Sequence, residues 1–183
     1  PVGHYRTSPI NTQAQVLDEY KGICLGVDLR EGGGWHNVLH QMCNKLDYKK
    51  IPYFVGTLSI GDYVFFTTKD GGKPTGGRLD YLCPILVERK SVEDVAMSIH
   101  DGRWQSQKRR MYHGQYIFGY DNCRMIYIIE GNKNAQAVSG GYVGARWYNV
   151  DMKKFEDEVE NLKAEGFEVM QTPSRENTMF QLS

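Results

Sequence analysis

The sequence predicts an α/β fold, with a mixed central sheet flanked by helices. Three observations predict it. Apolar runs at residues 23–27, 85–87 and 125–129 have the length of buried strands. Between them lie amphipathic stretches whose apolar residues are three and four apart, the period of a helix packed on one face. Each apolar run ends abruptly in charge, at Asp28, Glu88 and Glu130, as a buried strand does on reaching the rim of its sheet. The 183 residues suffice for one domain with a core, and 12% aromatic with 24% charged residues fits a folded chain rather than a disordered one.

Taken in order, residues 1–20 carry little pattern beyond a short helical stretch at 12–20, and read as an N-terminal arm or linker. A first residue of Pro and an end inside a further helical stretch read as a domain taken from a longer protein. After the first strand come Gly32, Gly33 and Gly34, then Trp35, Val38, Leu39, Met42, Cys43 and Leu46, the spacing of an amphipathic helix. The glycines match neither GxGxxG nor GxxxxGK, so no nucleotide loop is read there. His36 and His40 lack the third ligand of a zinc site and are assigned to a polar face. Residues 52–57 and 62–68 read as strands joined at Gly61, and the Gly- and Pro-rich residues 69–80 as a loop. Pro84 sits awkwardly in the next strand, which should begin after it or bulge there. Ser91 to Asp94 is a capping-box pattern, so a helix starts at Val92. On the helix that follows, Trp104 and Met111 share an apolar face, while Arg103, Gln107 and Arg110 share a polar one. Residues 138–147 are broken by glycines and left unassigned, with some helix as an option. Met152, Phe155, Val159 and Leu162 make another amphipathic helix, ended by Gly166, and residues 167–171 form the last strand. The four cysteines show no CxxC pairing and read as free thiols. No apolar run approaches the roughly 20 residues that cross a bilayer, so no membrane role is read.

Chemistry gathers around residues 84–111. Glu88 and Lys90 are two apart, so on a strand their side chains share one face. A carboxylate binds a hard divalent cation through oxygen, and an ammonium beside it orients attacking water, the pairing used in metal-assisted phosphodiester hydrolysis. A lone ExK is ordinarily a surface ion pair. Here Asp62 opens the preceding strand, Asp94 completes ERKxxxD, and Asp28 closes the first strand.

Together VDLRE (27–31), GD (61–62), ERKxxxD (88–94) and DGRxxxQK (101–108) resemble the XPF-type structure-selective endonucleases, on the restriction-endonuclease-like fold, over about residues 23–173. The DGRWxxQKxR run and YIIEG at 127–131 are most similar to the catalytic subunit of the crossover-junction branch, which acts on Holliday junctions and flaps. The resemblance implies a nuclease domain over residues 21–183 that cleaves branched duplex DNA (3′-flaps, forks and junctions) in nuclear repair and recombination. It implies Asp28, Asp62 and Glu88 as metal-site carboxylates for Mg²⁺, with Mn²⁺ as a substitute and the Arg89 carbonyl as a further ligand. Lys90 would position the water, Glu31 and Arg30 would support the site, and Arg89 would contact phosphate or fix local geometry. Asp94 either completes the motif or caps its helix. Arg30, Arg103, Gln107, Lys108 and Arg110 would face DNA, with Arg103 alternatively pairing with Asp101 or Asp94 at its helix start. The family's tandem helix-hairpin-helix domain has no counterpart in this sequence. A related subunit, often without a working site, is the family's usual partner, so a heterodimer or a homodimer is implied. A non-catalytic DNA-binding scaffold subunit is the alternative; it would need a broken motif, and Asp62, Glu88, Lys90 and Asp94 are all present.

Net charge is zero, yet residues 103–124 carry a net +4 and residues 151–168 a net −4. A basic patch for phosphate on one side, with the acidic helix and last strand away from it and available for pairing with a second subunit, is the expectation.

Overall fold

The computed structural model describes residues 22–32, 36–68, 81–117, 123–132, 141–143, 146–148 and 152–182. In chain order the elements are β1 (Gly22–Asp28), α1 (His36–Tyr48), β2 (Tyr53–Gly56), β3 (Tyr63–Thr68), β4 (Tyr81–Ser91), α2 (Val92–His100) and α3 (Trp104–Ile117). There follow β5 (Arg124–Glu130), β6 (Gly141–Val143), β7 (Arg146–Tyr148), α4 (Met152–Ala164), β8 (Glu168–Thr172) and α5 (Arg175–Gln181). Six strands order as β2-β1-β3-β4-β5-β8 in one mixed sheet, and β6 pairs with β7 separately. The chain forms two compact units: one runs to Leu86 and includes Gly114–Cys123, the other comprises Val87–His113 and Arg124–Leu182.

In the first unit β1 is buried from Cys24 to Asp28, parallel to β2 on one side and antiparallel to β3 on the other. A strand covered on both faces must be apolar throughout, as this one is until its last residue. Gly26 stands opposite Phe54 and Val64 at once. A Cβ there would lie 2.7 Å from the Phe54 ring and 2.8 Å from a Val64 methyl, so glycine is what lets both neighbours close in. Phe54 meets Phe66 edge-on with centroids 5.2 Å apart. Helix α1 is the crossover that parallel β1 and β2 require, and it buries Met42 and Leu46 as its spacing predicts.

In the second unit β5 and β8 pair in parallel, with α4 in the connection between them. Residues Met125 to Ile129 are all buried. Tyr127 packs between Trp104 and Phe167 at centroid distances of 5.6 and 5.5 Å. Phe155, Val159 and Leu162 form the buried stripe of α4, and Gly166 turns the chain at φ +92°. Helix α2 starts at Val92, where the Ser91 hydroxyl accepts the Asp94 amide.

Two local expectations differ from the structure. β4 begins at Tyr81, so Pro84 lies inside the strand, which is one amide donor short there. The unassigned stretch holds β6 and most of β7; Tyr142, Val143, Trp147 and Tyr148 favour extended backbone. The expected arm at residues 1–20 and loop at 69–80 lie outside the described residues, as do Gly33, Gly34 and Trp35. None of the four cysteines is in a disulfide. No described helix is long and apolar enough to cross a membrane.

Candidate functional site

In the first unit, VDLRE and GD form one hydrogen-bonded corner. Asp28 ends β1 and is fully buried. A 3₁₀ turn, Leu29–Gly32, brings Arg30 back over it. Asp28 Oδ1 accepts the Arg30 amide and Nε, both at 2.7 Å. Oδ2 accepts Arg30 Nη2 at 2.9 Å and the Leu58 amide at 2.7 Å. Arg30 Nη2 also donates to the Leu58 carbonyl at 3.0 Å, and the Asp28 amide donates to the Asp62 carbonyl at 2.8 Å. The segment from Leu58 to Asp62 is therefore gripped at both ends from the tip of β1. Gly61 completes the turn at φ +69°, a conformation that side chains rarely adopt, which is why a glycine precedes Asp62. Burial pushes the Asp28 carboxyl up, but the Arg30 guanidinium, then the Arg30 and Leu58 amides, outweigh it and hold it below its ordinary value. One residue past Asp62, the Tyr63 phenol donates to Glu31 Oε2 at 2.6 Å in a buried contact.

This corner bears on the implied metal. A carboxylate has about four lone-pair positions, and those of Asp28 are all taken. Asp28 therefore does not fit the ligand role in this arrangement. Among the described residues no three His, Cys, Asp or Glu side chains gather as a metal cage. Asp62 and Glu88 are the remaining implied carboxylates; Asp62 belongs to the first unit and Glu88 to the second.

In the second unit, β4 delivers ERK. Glu88 is buried, and its Oε1 lies 3.9 Å from Arg110 Nη2. Lys90 is part-exposed and makes no ion pair or side-chain hydrogen bond among the described residues. Arg89 points to the opposite face by strand alternation, and its Nη1 pairs with Glu130 Oε1 at 3.0 Å. Asp94 is exposed; its amide is held by Ser91 and its carbonyl accepts the Ser98 hydroxyl at 2.6 Å. Its backbone thus serves the helix start, as the capping pattern predicts.

Around α3 the expected DNA face changes membership. Arg110 is exposed, and so is Arg109. Arg103 is exposed and bound through Nε to Asp101 Oδ2 at 2.6 Å, the alternative structural contact. Gln107 Oε1 is buried and has no hydrogen-bond partner among the described residues. Lys108 departs from the expectation. It is 2% exposed, with Nζ 2.7 Å from Glu165 and 3.9 Å from Glu158. Its place on the helix explains this, since Trp104, Lys108 and Met111 are spaced i, i+4, i+7 on the inward stripe. Arg124 likewise pairs bidentately with Glu168, both bonds at 2.7 Å. The acidic segment is therefore not remote from the basic one, as expected, but neutralises part of it. Sequence reasoning also missed Glu130, although a lone acid closing a buried strand was a visible signal.

A mixed sheet with parallel crossovers and these motifs at its strand ends is the restriction-endonuclease-like class. Two solved structures share the fold. XPF from Aeropyrum pernix has a TM-score of 0.57 at 20% identity over 87% of this chain and 57% of that one, and its complex with DNA 0.56 at 21%, over 87% and 60%. The ERCC4 domain model matches residues 27–180, and the chain belongs to that family. The curated relatives are named as crossover junction endonucleases or as structure-specific endonuclease subunits. A probable crossover junction endonuclease mus81 of Dictyostelium discoideum is 36% identical over 90 residues, covering 49% of this chain and 8% of that protein. The structure-specific endonuclease subunit MUS81 of Rattus norvegicus is 29% identical over 145 residues, covering 73% and 23%, and the crossover junction endonuclease MUS81 of rice 26% over 176 residues, covering 93% and 22%. The chain thus spans less than a quarter of the length of these relatives.

Proposed function

We propose that this chain is the nuclease domain of a divalent-metal-dependent, structure-selective DNA endonuclease that cuts branched duplexes such as 3′-flaps, forks and junctions. One observation carries the reading: GD and ERKxxxD are intact within an ERCC4 match, with Glu88 buried within β4, three residues before its end. Mg²⁺ is the natural ion and Mn²⁺ its substitute; when bound it would polarise the scissile phosphate and activate water. Asp62 and Glu88 are the carboxylates that would hold it. Lys90, with no competing partner among the described residues, holds a positive charge toward water and the phosphate oxygens. Glu31 and Tyr63 stiffen the backbone beside Asp62. Arg110 stands between Glu88 and solvent, 65% exposed, where it meets a phosphate without reading sequence. The likeness to A. pernix XPF, a protein solved in complex with DNA, and the names of the MUS81 relatives support DNA as substrate. Nuclear repair and recombination, and pairing with a related nuclease subunit or a second copy, complete the reading.

The test is cleavage of labelled 3′-flap, fork and plain duplex DNA, with and without Mg²⁺. Flap and fork are cut only with metal, and Asp62→Asn, Glu88→Gln and Lys90→Met abolish cutting while melting normally. Equal cutting without metal, or wild-type rates in all three variants, sinks the assignment.

A further inference from the structure

The YIIEG run ends β5 in Glu130, and the nuclease reading above gives this residue no role. Its surroundings do. Glu130 Oε1 accepts Arg89 Nη1 at 3.0 Å, with Arg175 Nε 3.8 Å away. Oε2 accepts the Thr178 hydroxyl at 2.8 Å, and that hydroxyl lies 2.7 Å from the hydroxyl of Thr172. Both Arg89 and Glu130 side chains are nearly buried, 11% and 13% exposed. Charge-assisted bonds in such a place are short and directional. Thr178 and Thr172 are fully or nearly fully buried, so the far end of the chain of contacts is fixed in packed structure. Gly131 holds the corner beyond Glu130 at φ +117°, its amide donating to the Thr172 carbonyl at 2.8 Å.

Arg89 lies between Glu88 and Lys90 on β4. Strand alternation turns its side chain away from theirs, so it reaches neither metal nor water from the face they share. Gripping Arg89 from behind, however, sets the backbone from which both neighbours project. We propose that Glu130 is a positioning residue of the nuclease site: through Arg89 it locks the ERK segment of β4, and through Thr178 it ties that segment to helix α5. The proposal rests on the nuclease reading for its catalytic consequence. It accounts for an acid that closes an otherwise apolar strand, and for an arginine that sits inside the motif but faces away from its partners.

The experiment uses the full chain carrying Glu130→Gln, and separately Thr178→Val, which keeps the ion pairs but removes the hydroxyl bond from α5 to Glu130. Glu130→Gln lowers kcat on flap DNA tenfold to a hundredfold with KM within twofold, and Thr178→Val lowers it less. Arg89→Met combined with Glu130→Gln is no worse than Arg89→Met alone. The exchanged pair, Arg89→Glu with Glu130→Arg, recovers part of the rate. An unchanged kcat in Glu130→Gln, with Glu88→Gln inactive, overturns the positioning role and leaves the nuclease reading intact. So does a loss of activity that matches the fraction unfolded at the assay temperature. If wild type cuts nothing in Mg²⁺, the nuclease reading fails instead, and amide exchange at residues 88–90 decides the remainder. Tenfold faster exchange in Glu130→Gln, with β1 unchanged, supports the lock; unchanged exchange removes it.

Discussion

Asp28 offers the sharpest division between two accounts of one carboxylate, because they predict opposite signs for the same substitution. As a clamp, Asp28 holds Arg30 and the Leu58 amide, and its own amide holds the Asp62 carbonyl. As a ligand, it would bind metal in competition with Arg30. Asp28→Asn replaces an acceptor oxygen with an amide group that donates, and because each oxygen accepts two bonds, two of the four then face donor to donor. The residue is fully buried, while Arg30 is 68% exposed and part-screened by water. Losing the charge and two of these bonds costs about 2–4 kcal/mol. For a chain of this size that lowers Tm by roughly 5–15 °C. Arg30→Ala, which removes three side-chain bonds from a solvated arginine, costs less, about 1–2 kcal/mol. Because the folded carboxyl titrates below its ordinary value, its contribution is in place above the unfolded value and is lost as pH falls through the lower folded one. The Asn variant therefore lacks that acid-side loss.

The assay pairs melting curves with Mn²⁺ titration and amide exchange at Leu58. Under the clamp account, Arg30→Ala speeds Leu58 exchange, lowers Tm and leaves Mn²⁺ affinity equal or weaker, because Asp62 is held less firmly. Under the ligand account, the same substitution frees Asp28 and tightens Mn²⁺. A variant that binds Mn²⁺ more tightly than wild type at an unchanged Tm refutes the clamp.

Three further outcomes follow from the geometry. Gly61→Ala forces a side chain onto φ +69° and costs about 1–2 kcal/mol; its cleavage falls further than its stability, since Asp62 is the next residue, as melting and flap assays run in parallel will show. Lys108→Ala lowers Tm by removing a buried stem and its bond to Glu165 but leaves the salt slope of DNA binding unchanged, whereas Arg110→Ala reduces that slope by about one without a comparable loss of Tm; the reverse pattern would return Lys108 to the DNA face. Burial raises both Cys83 and Cys123 to about 11, so at pH 8 about one molecule in a thousand carries either thiolate, and both react with disulfide reagents roughly a hundredfold or more slower than an unperturbed thiol.

How far the sequence reaches can be judged residue by residue. Strands β1 and β5 were legible because burial on both faces demands an uninterrupted apolar run, and α1 and α4 because one buried stripe demands a fixed spacing. The start of α2 was legible because the Ser91 cap is a contact three residues long. Lys108 was legible in principle: it shares the Trp104 and Met111 stripe, but the density of positive charge around it pointed outward. Summed charge gives a field and no direction. The role of Asp28 was not legible, because its fourth bond comes from Leu58, thirty residues on and carried by an amide that any residue supplies. The same holds for Arg89 and Glu130, separated by 41 positions. Alternation along β4 already turned Arg89 away from Glu88 and Lys90, so the sequence contained half of that contact. The other half depends on where β5 stops. A strand that ended one residue earlier would present Ile129, and by alternation its side chain would face the other way. The position of a single acid at a strand end therefore decides whether the arginine of the motif has a partner, and local periodicity cannot express that.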